Sequence, residues 1–122
     1  MLQGTFYTLL SLQQPAATSL LATIELNAGH DIFKGHFPGQ PVVPGVCMLQ
    51  IVKECLEQVL LRKVQLRQAG NIKFLTVLTP DAHQTVEVRV NFESSGNTIL
   101  VPEAFISAGT TRFLRMQQAS YA

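Results

Sequence analysis

Gly35-His36-Phe37-Pro38-Gly39-Gln40-Pro41-Val42-Val43-Pro44-Gly45-Val46 is the stretch on which the fold turns. It closes a segment, residues 29–45, with four glycines and three prolines in seventeen positions. So many breakers exclude a regular element there. Ile32, Phe33, Phe37, Val42 and Val43 are nevertheless apolar, so the loop is expected to pack against the body. Directly after it the pattern changes. From Gly45 to about Arg62 apolar residues recur with the period of a helix, uninterrupted by glycine or proline after Gly45. Measured from Gln50 at 100° per residue, Lys53, Glu54, Glu57 and Gln58 fall within about 80° on the polar side. Met48, Ile51, Val52, Cys55, Leu56 and Val59 fill the opposite side, and Leu49 and Leu60 widen it. An apolar arc this broad belongs to a largely buried helix.

Working outward, Thr18 to Asn27 reads as a strand ending at the turn-prone Asn27-Ala28-Gly29, and Phe6 to Leu12 as an earlier strand closed by Gln14-Pro15. Beyond the helix, Asn71 to Leu78 precedes the turn Thr79-Pro80-Asp81-Ala82. Thr85 to Phe92 alternates, placing Val86, Val88, Val90 and Phe92 on one face. After the turn Glu93-Ser94-Ser95-Gly96-Asn97, Thr98 to Ser107 and Thr110 to Gln117 form a hairpin at Ala108-Gly109. Pro102 has no backbone donor, so its strand lies at an edge or bulges there. Strands on both sides of one long helix predict an α+β domain, an antiparallel sheet wrapped around that helix.

A chain of 122 residues fits one domain, 1–122. With 47% hydrophobic and 14% charged residues it is no disordered tail. A net charge of +1 and a pI near 7.8 argue against a nucleic-acid binder. The low charge and a mean hydropathy of +0.22 suggest apolar surface covered by a partner subunit. Cys47 and Cys55 are too few for a disulfide framework and lack zinc spacing, so they read as small apolar residues on a packed helix. No basic leader and no apolar run of about 20 residues appears, which predicts a cytoplasmic protein without a membrane span.

The stretch 35–46 resembles the signature loop of β-hydroxyacyl-acyl carrier protein dehydratases with the hot-dog fold, G-H-F-P-G-x-P-V-x-P-G-V leading into the central helix. Leu78-Thr79-Pro80-Asp81-Ala82 resembles the family's V-x-P-G-D turn after the third strand. With the order of elements, the resemblance covers roughly Thr18 to the C-terminus; the first fifteen residues add nothing to it. It implies a hot-dog domain acting on a 3-hydroxyacyl group carried as a thioester on acyl carrier protein or coenzyme A, as in fatty acid or related acyl biosynthesis. It also implies a homodimer or dimer of dimers, in which the histidine of one subunit faces the acid of the other.

Dehydration of such a thioester needs a base for the proton beside the carbonyl, an acid for the departing hydroxyl, and donors for the carbonyl oxygen. Histidine suits the first task because its pKa lies near neutrality, and His36 is the candidate. Unpaired N–H groups at a helix N-terminus suit the third; in the family the residue matching Gly45 does this. Phe37, Pro38, Gly39, Val43, Pro44 and Val46 would shape the mouth of an apolar acyl tunnel. No cofactor is needed.

The departure from the family lies in the helix. The family places Glu or Asp at the position of Gln50 and usually glutamine four residues later, where this chain has Glu54. One turn apart, the two side chains can hydrogen-bond. Three readings stay open: Glu54 is the acid, its pKa raised by an apolar wall, and Gln50 orients the hydroxyl or a water; the chain binds acyl groups with little or no activity; or Gln50, Glu54 and Glu57 form only a polar stripe. A hot-dog thioesterase and a non-catalytic acyl-binding subunit paired with an active paralogue are the alternative functions. His30 and His83 read as solvent-facing, no metal site is expected, and most of the nine basic residues read as a scattered solubilising surface, of which Lys34 beside the loop could help dock an acidic carrier. No phosphate-binding or nucleophile-elbow motif is present.

Overall fold

The computed structural model describes residues 1–35 and 41–122. In chain order they form β1 (Tyr7–Ala16), β2 (Ser19–Leu26), α1 (Ile32–Gly35), α2 (Gly45–Leu60), β3 (Leu66–Phe74), β4 (Thr85–Ser95), β5 (Thr98–Ala108) and β6 (Thr111–Tyr121). The six strands make one sheet of order β1-β2-β4-β5-β6-β3, antiparallel at every step. This is the expected hot-dog architecture.

Alternation drives the sheet. Leu20, Ala22 and Ile24 of β2 pair with Val90, Val88 and Val86 of β4, all of them buried on one face. Ala104 and Ile106 of β5 sit against Met116 and Leu114 of β6 and extend that face. Against it lie Ile51, Val52, Cys55 and Leu56 of α2, each at most 1% exposed. Full burial of a side chain such as Ile51 or Leu56 contributes about 1.5–3 kcal/mol. The helix is also the crossover that carries the chain from β2 to β3 on the far edge. Four strand spacings are about 19 Å, and sixteen helical residues rise about 24 Å, so the helix spans the sheet it covers.

Several expected boundaries move. The glycine- and proline-rich loop does contain a regular piece, the single turn α1, seated by stacking of Phe33 on Phe6. Strand β1 runs through Gln14-Pro15 to Ala16, which an edge strand tolerates because its outer N–H row has no ladder partner. β3 begins at Leu66 rather than Asn71, and β6 continues to Tyr121, its partner across the ladder. Pro102 lies inside the sheet on β5, and the β4–β5 register shifts opposite it between Asn91 and Glu93, the expected bulge. The long helix stops at Leu60 because Leu61 takes the left-handed conformation at φ 57° while its N–H still donates to the Glu57 carbonyl.

Candidate functional site

The N-terminus of α2 opens onto an apolar cleft of about 630 Å³. Residues 42–45 and Met48 form one wall, and residues 74–78, the end of β3 and the segment after it, form the other. A backbone hydrogen bond from Val43 to the Leu78 carbonyl, 2.8 Å, ties the walls together. Pro44 is the N-cap in extended conformation and has no side chain with which to cap, while its carbonyl accepts from Cys47 and Met48. The N–H groups of Gly45 and Val46 have no partner among the described residues, and they stand at the positive end of the helix dipole. Packing favours glycine here as well: a Cβ on Gly45 would lie 2.7 Å from the Phe74 ring, which would have to move.

Of the expected site residues, Val43, Pro44 and Gly45 line this cleft. Val46 does not. It is 74% exposed and borders a separate hollow of about 190 Å³ beside Gln50, Lys53, Leu66 and Tyr121. His36, Phe37, Pro38 and Gly39 lie outside the described residues. Met48, Phe74, Leu75, Thr76 and Val77 were missed by sequence reading, because nothing local shows that the end of β3 folds back over the helix start.

The Gln50–Glu54 pair forms, with Gln50 Nε2 donating to Glu54 Oε2 at 2.7 Å. Its surroundings correct two expectations. Glu54 and Glu57 are not on a solvated polar side; both are buried. The reason lies in the first seven residues, which looked uninformative. Leu2 N–H donates to Glu54 Oε2 at 2.8 Å, Gln3 N–H to Oε1 at 2.9 Å, and Tyr7 Oη to Oε1 at 2.9 Å. With Gln50, four donors fill the acceptor sites of the carboxylate. Burial by itself pushes this carboxyl up, but the bonds from Leu2, Gln50, Gln3 and Tyr7 outweigh it, so its pKa is lowered rather than raised. Burial, with the neighbouring acidic groups and the bond to Glu54, pushes the Tyr7 hydroxyl well above its ordinary range. Glu57 serves the other end of the helix: its Oε2 accepts from Val64 N–H at 3.0 Å, beside Lys63 Nζ at 4.0 Å.

The other two histidines and both cysteines lie in packed surroundings. His30 and His83 are half-buried rather than solvent-facing, stacked edge-on against Phe6 and Phe113. Cys47 and Cys55 are buried free thiols, and burial pushes Cys55 up to about 12, out of the reactive range. Among the described residues no cluster of three metal-ligating side chains occurs, and no helix is long and apolar enough to cross a membrane.

Comparison with known proteins places this geometry. A chain of the ApeI:P dehydratase heterocomplex from Xenorhabdus doucetiae superimposes with a TM-score of 0.72 at 20% identity, covering 93% of this chain and 96% of that one. An uncharacterised protein from Erwinia carotovora subsp. atroseptica superimposes with a TM-score of 0.66 at 21% identity, over 92% and 90% of the two chains. Both share the fold. A 57-residue stretch is 32% identical to the 3-hydroxyacyl-[acyl-carrier-protein] dehydratase FabZ of Pediococcus pentosaceus, which is 47% of this chain and 37% of that curated relative. The family model described as ApeI-like, ApeI dehydratase, matches residues 12–101. The chain belongs to the ApeI-like dehydratase family.

Proposed function

We propose that the protein binds a 3-hydroxyacyl thioester, carried on acyl carrier protein or coenzyme A, and takes part in its dehydration to the trans-2-enoyl thioester and water. The observation that carries this reading is the helix N-terminus at Gly45, which lines the apolar cleft, with the N–H groups of Gly45 and Val46 unpartnered among the described residues. A thioester carbonyl at that helix terminus gains two donors as negative charge develops on its oxygen, and about 630 Å³ of apolar space falls in the usual range for a small-molecule site. His36, nine residues before Gly45, would remove the proton from C2. The C3–O bond then breaks, and the oxygen leaves as water once it has taken a proton.

The donor of that proton decides between an autonomous enzyme and one half of a pair. Glu54 is poorly suited to it: the carboxylate is held ionised by four donors and has no free lone pair facing a cavity. Gln50 cannot serve, because an amide N–H is far too weakly acidic. This favours a second reading, in which the chain supplies base and carbonyl site to an assembly whose acid comes from a related subunit. The heterocomplex formed by its structural neighbour supports that possibility by analogy. In a homodimer the hydroxyl would instead leave with a proton from water. Mass spectrometry of 3-hydroxyacyl carrier incubated with the pure protein, alone and mixed with a relative bearing an acid at the position of Gln50, separates these cases. Enoyl product only in the mixture supports the paired assembly. Product from the chain alone supports the homodimer. Release of free carrier thiol would replace both with a thioesterase.

A further inference from the structure

Four of the nine basic residues are not scattered. Pairing across the strands sets Lys73 of β3 opposite Arg115 of β6, Arg115 opposite Phe105 of β5, and Phe105 opposite Arg89 of β4. Their chain neighbours Leu114, Met116, Ala104 and Ile106 are buried on the face that meets α2, so alternation turns this row to the outer face of the sheet. Arg112 joins it, its guanidinium 4.0 Å from the centre of the Phe105 ring, a contact that holds the charge against the sheet. Like charges abreast on neighbouring strands destabilise each other, and local partners offset Lys73 and Arg115 poorly. Glu103 stands 3.7 Å from Arg115 Nε, and that buried nitrogen has no hydrogen-bond partner among the described residues. Glu87, on the same face, lies opposite Ser107. The row covers three strand spacings, about 14 Å. It ends at Lys73, next in the chain to Phe74, where the second wall of the cleft begins.

We propose that this outer face docks an acidic helix of the protein that carries the acyl thioester. The proposal rests on the acyl-thioester reading above and narrows its carrier to a protein rather than coenzyme A. A line of charge about 14 Å long is too extended for the phosphates of coenzyme A, which cluster at one end of that molecule. It matches carboxylates along one side of a helix, where ten residues rise about 15 Å. A second copy of the chain offers no such match, because no two acids stand abreast across any strand pair of the sheet. Lys34, the cation expected to help docking, pairs instead with Asp31 at 3.5 Å. A carrier seated on the row ends beside Phe74, so its arm enters the cleft from the β3 side toward Gly45. The row steers and holds the carrier and takes no part in the chemistry.

The test is calorimetric binding of one inert acyl group, a 3-hydroxyoctanoyl amide in which nitrogen replaces the thioester sulfur, on three carriers: pantetheine, coenzyme A and acyl carrier protein. At low salt the carrier-protein probe is expected to bind about tenfold more tightly than the pantetheine probe, the scale of a few exposed ion pairs acting together. The gain should vanish in about 0.5 M salt. Arg89→Glu together with Arg112→Glu should erase it and leave the pantetheine probe unchanged, which also shows that the variant is folded. If charge reversal unfolds the protein, Arg89→Gln together with Arg112→Gln is read in the same way. Equal binding of the carrier-protein and pantetheine probes overturns the proposal while leaving the acyl reading intact. So does a gain that survives the double variants, a gain lost only with Lys34→Glu, or an equal gain with coenzyme A. Self-association removed by the same variants would give the face to a second copy and overturn the proposal too. If no probe binds, the acyl reading fails and this proposal with it.

Discussion

Replacing Glu54 by leucine keeps much of the side-chain volume and removes every acceptor from the cradle beneath the N-terminal segment. Tyr7 is 2% exposed, so its hydroxyl is stranded without a partner at a cost of about 1–3 kcal/mol. The Leu2 and Gln3 amides can regain water only if the segment lifts from α2, which forfeits about 1 kcal/mol for each bond. Relief from burying a charge returns part of this. The net loss should be about 2–4 kcal/mol, overlapping the range for removing one partner from a buried charged cluster. Urea unfolding at pH 7 measures it as a lower midpoint at unchanged slope. Tyr7→Phe is the control, since it removes the hydroxyl together with its need for an acceptor while the carboxylate keeps three donors. In the parent it should cost about 1 kcal/mol, and in the Glu54→Leu background it should instead regain about 1–3 kcal/mol by removing the stranded hydroxyl. The carboxyl's folded pKa is lowered, so its stabilisation is complete above the ordinary value of 4.5 and is lost as pH falls through the folded value. The gap between parent and Glu54→Leu should therefore close in acid. A loss below about 1 kcal/mol at pH 7, or a Tyr7→Phe effect equal in both backgrounds, would refute the anchoring role.

Four further outcomes are expected. His36→Ala should lower dehydration, in whichever assembly shows it, by about 100-fold or more, the scale of a general base; equal turnover would remove His36 from the mechanism. Gly45→Ala places a methyl where the Phe74 ring lies at 2.7 Å and should push that half-exposed ring into the cleft, weakening acyl-probe binding roughly tenfold while thermal stability stays nearly constant. Leu61→Gly, at an exposed left-handed position, should raise stability by about 0.5–1 kcal/mol in the same urea assay, and a loss would mean that Leu61 packs on something in solution. Gln50→Glu sets two carboxyls a hydrogen bond apart, and with Glu54 held ionised by three other donors the shared proton should reside on the new one. Enoyl formation by the pure variant near neutral pH, above that of the parent, is the expected result.

What the sequence carried well was local and periodic. The alternation of Val86, Val88, Val90 and Phe92, and the broad apolar arc of the helix, fixed which faces meet, and the order of elements then left little freedom. The glycine at position 45 was legible as an opening for a carbonyl, but its second cause, the Phe74 ring, was not, since residues 45 and 74 are joined only by the fold. Glu54 failed for a similar reason. Helical periodicity assigned it to the polar side, and only contacts with residues 2, 3 and 7, about fifty positions away, show that it is covered and saturated. A helical wheel knows nothing of a segment folded over it.

The exchanged pair shows why likeness in the loop does not by itself assign the chemistry in the helix. An acid catalyst must release its proton, so its carboxyl works best where few donors stabilise the anion. An anchor needs the reverse, an anion met by as many donors as it can accept. This chain puts its carboxylate at the position where the N-terminal segment and Tyr7 converge, and its amide one turn earlier, beside an open hollow. The carboxylate is thereby spent on holding Leu2, Gln3 and Tyr7 to α2, and the amide, fixed by the carboxylate, keeps one acceptor without a partner among the described residues. Those two facts are linked: the donors that disqualify Glu54 as an acid are also what give Gln50 a single orientation. Under the acyl-thioester reading proposed above, a site so arranged would bind and orient a 3-hydroxyacyl group without supplying the proton for its leaving oxygen. That division of labour is what a subunit completed by an acid-bearing partner requires.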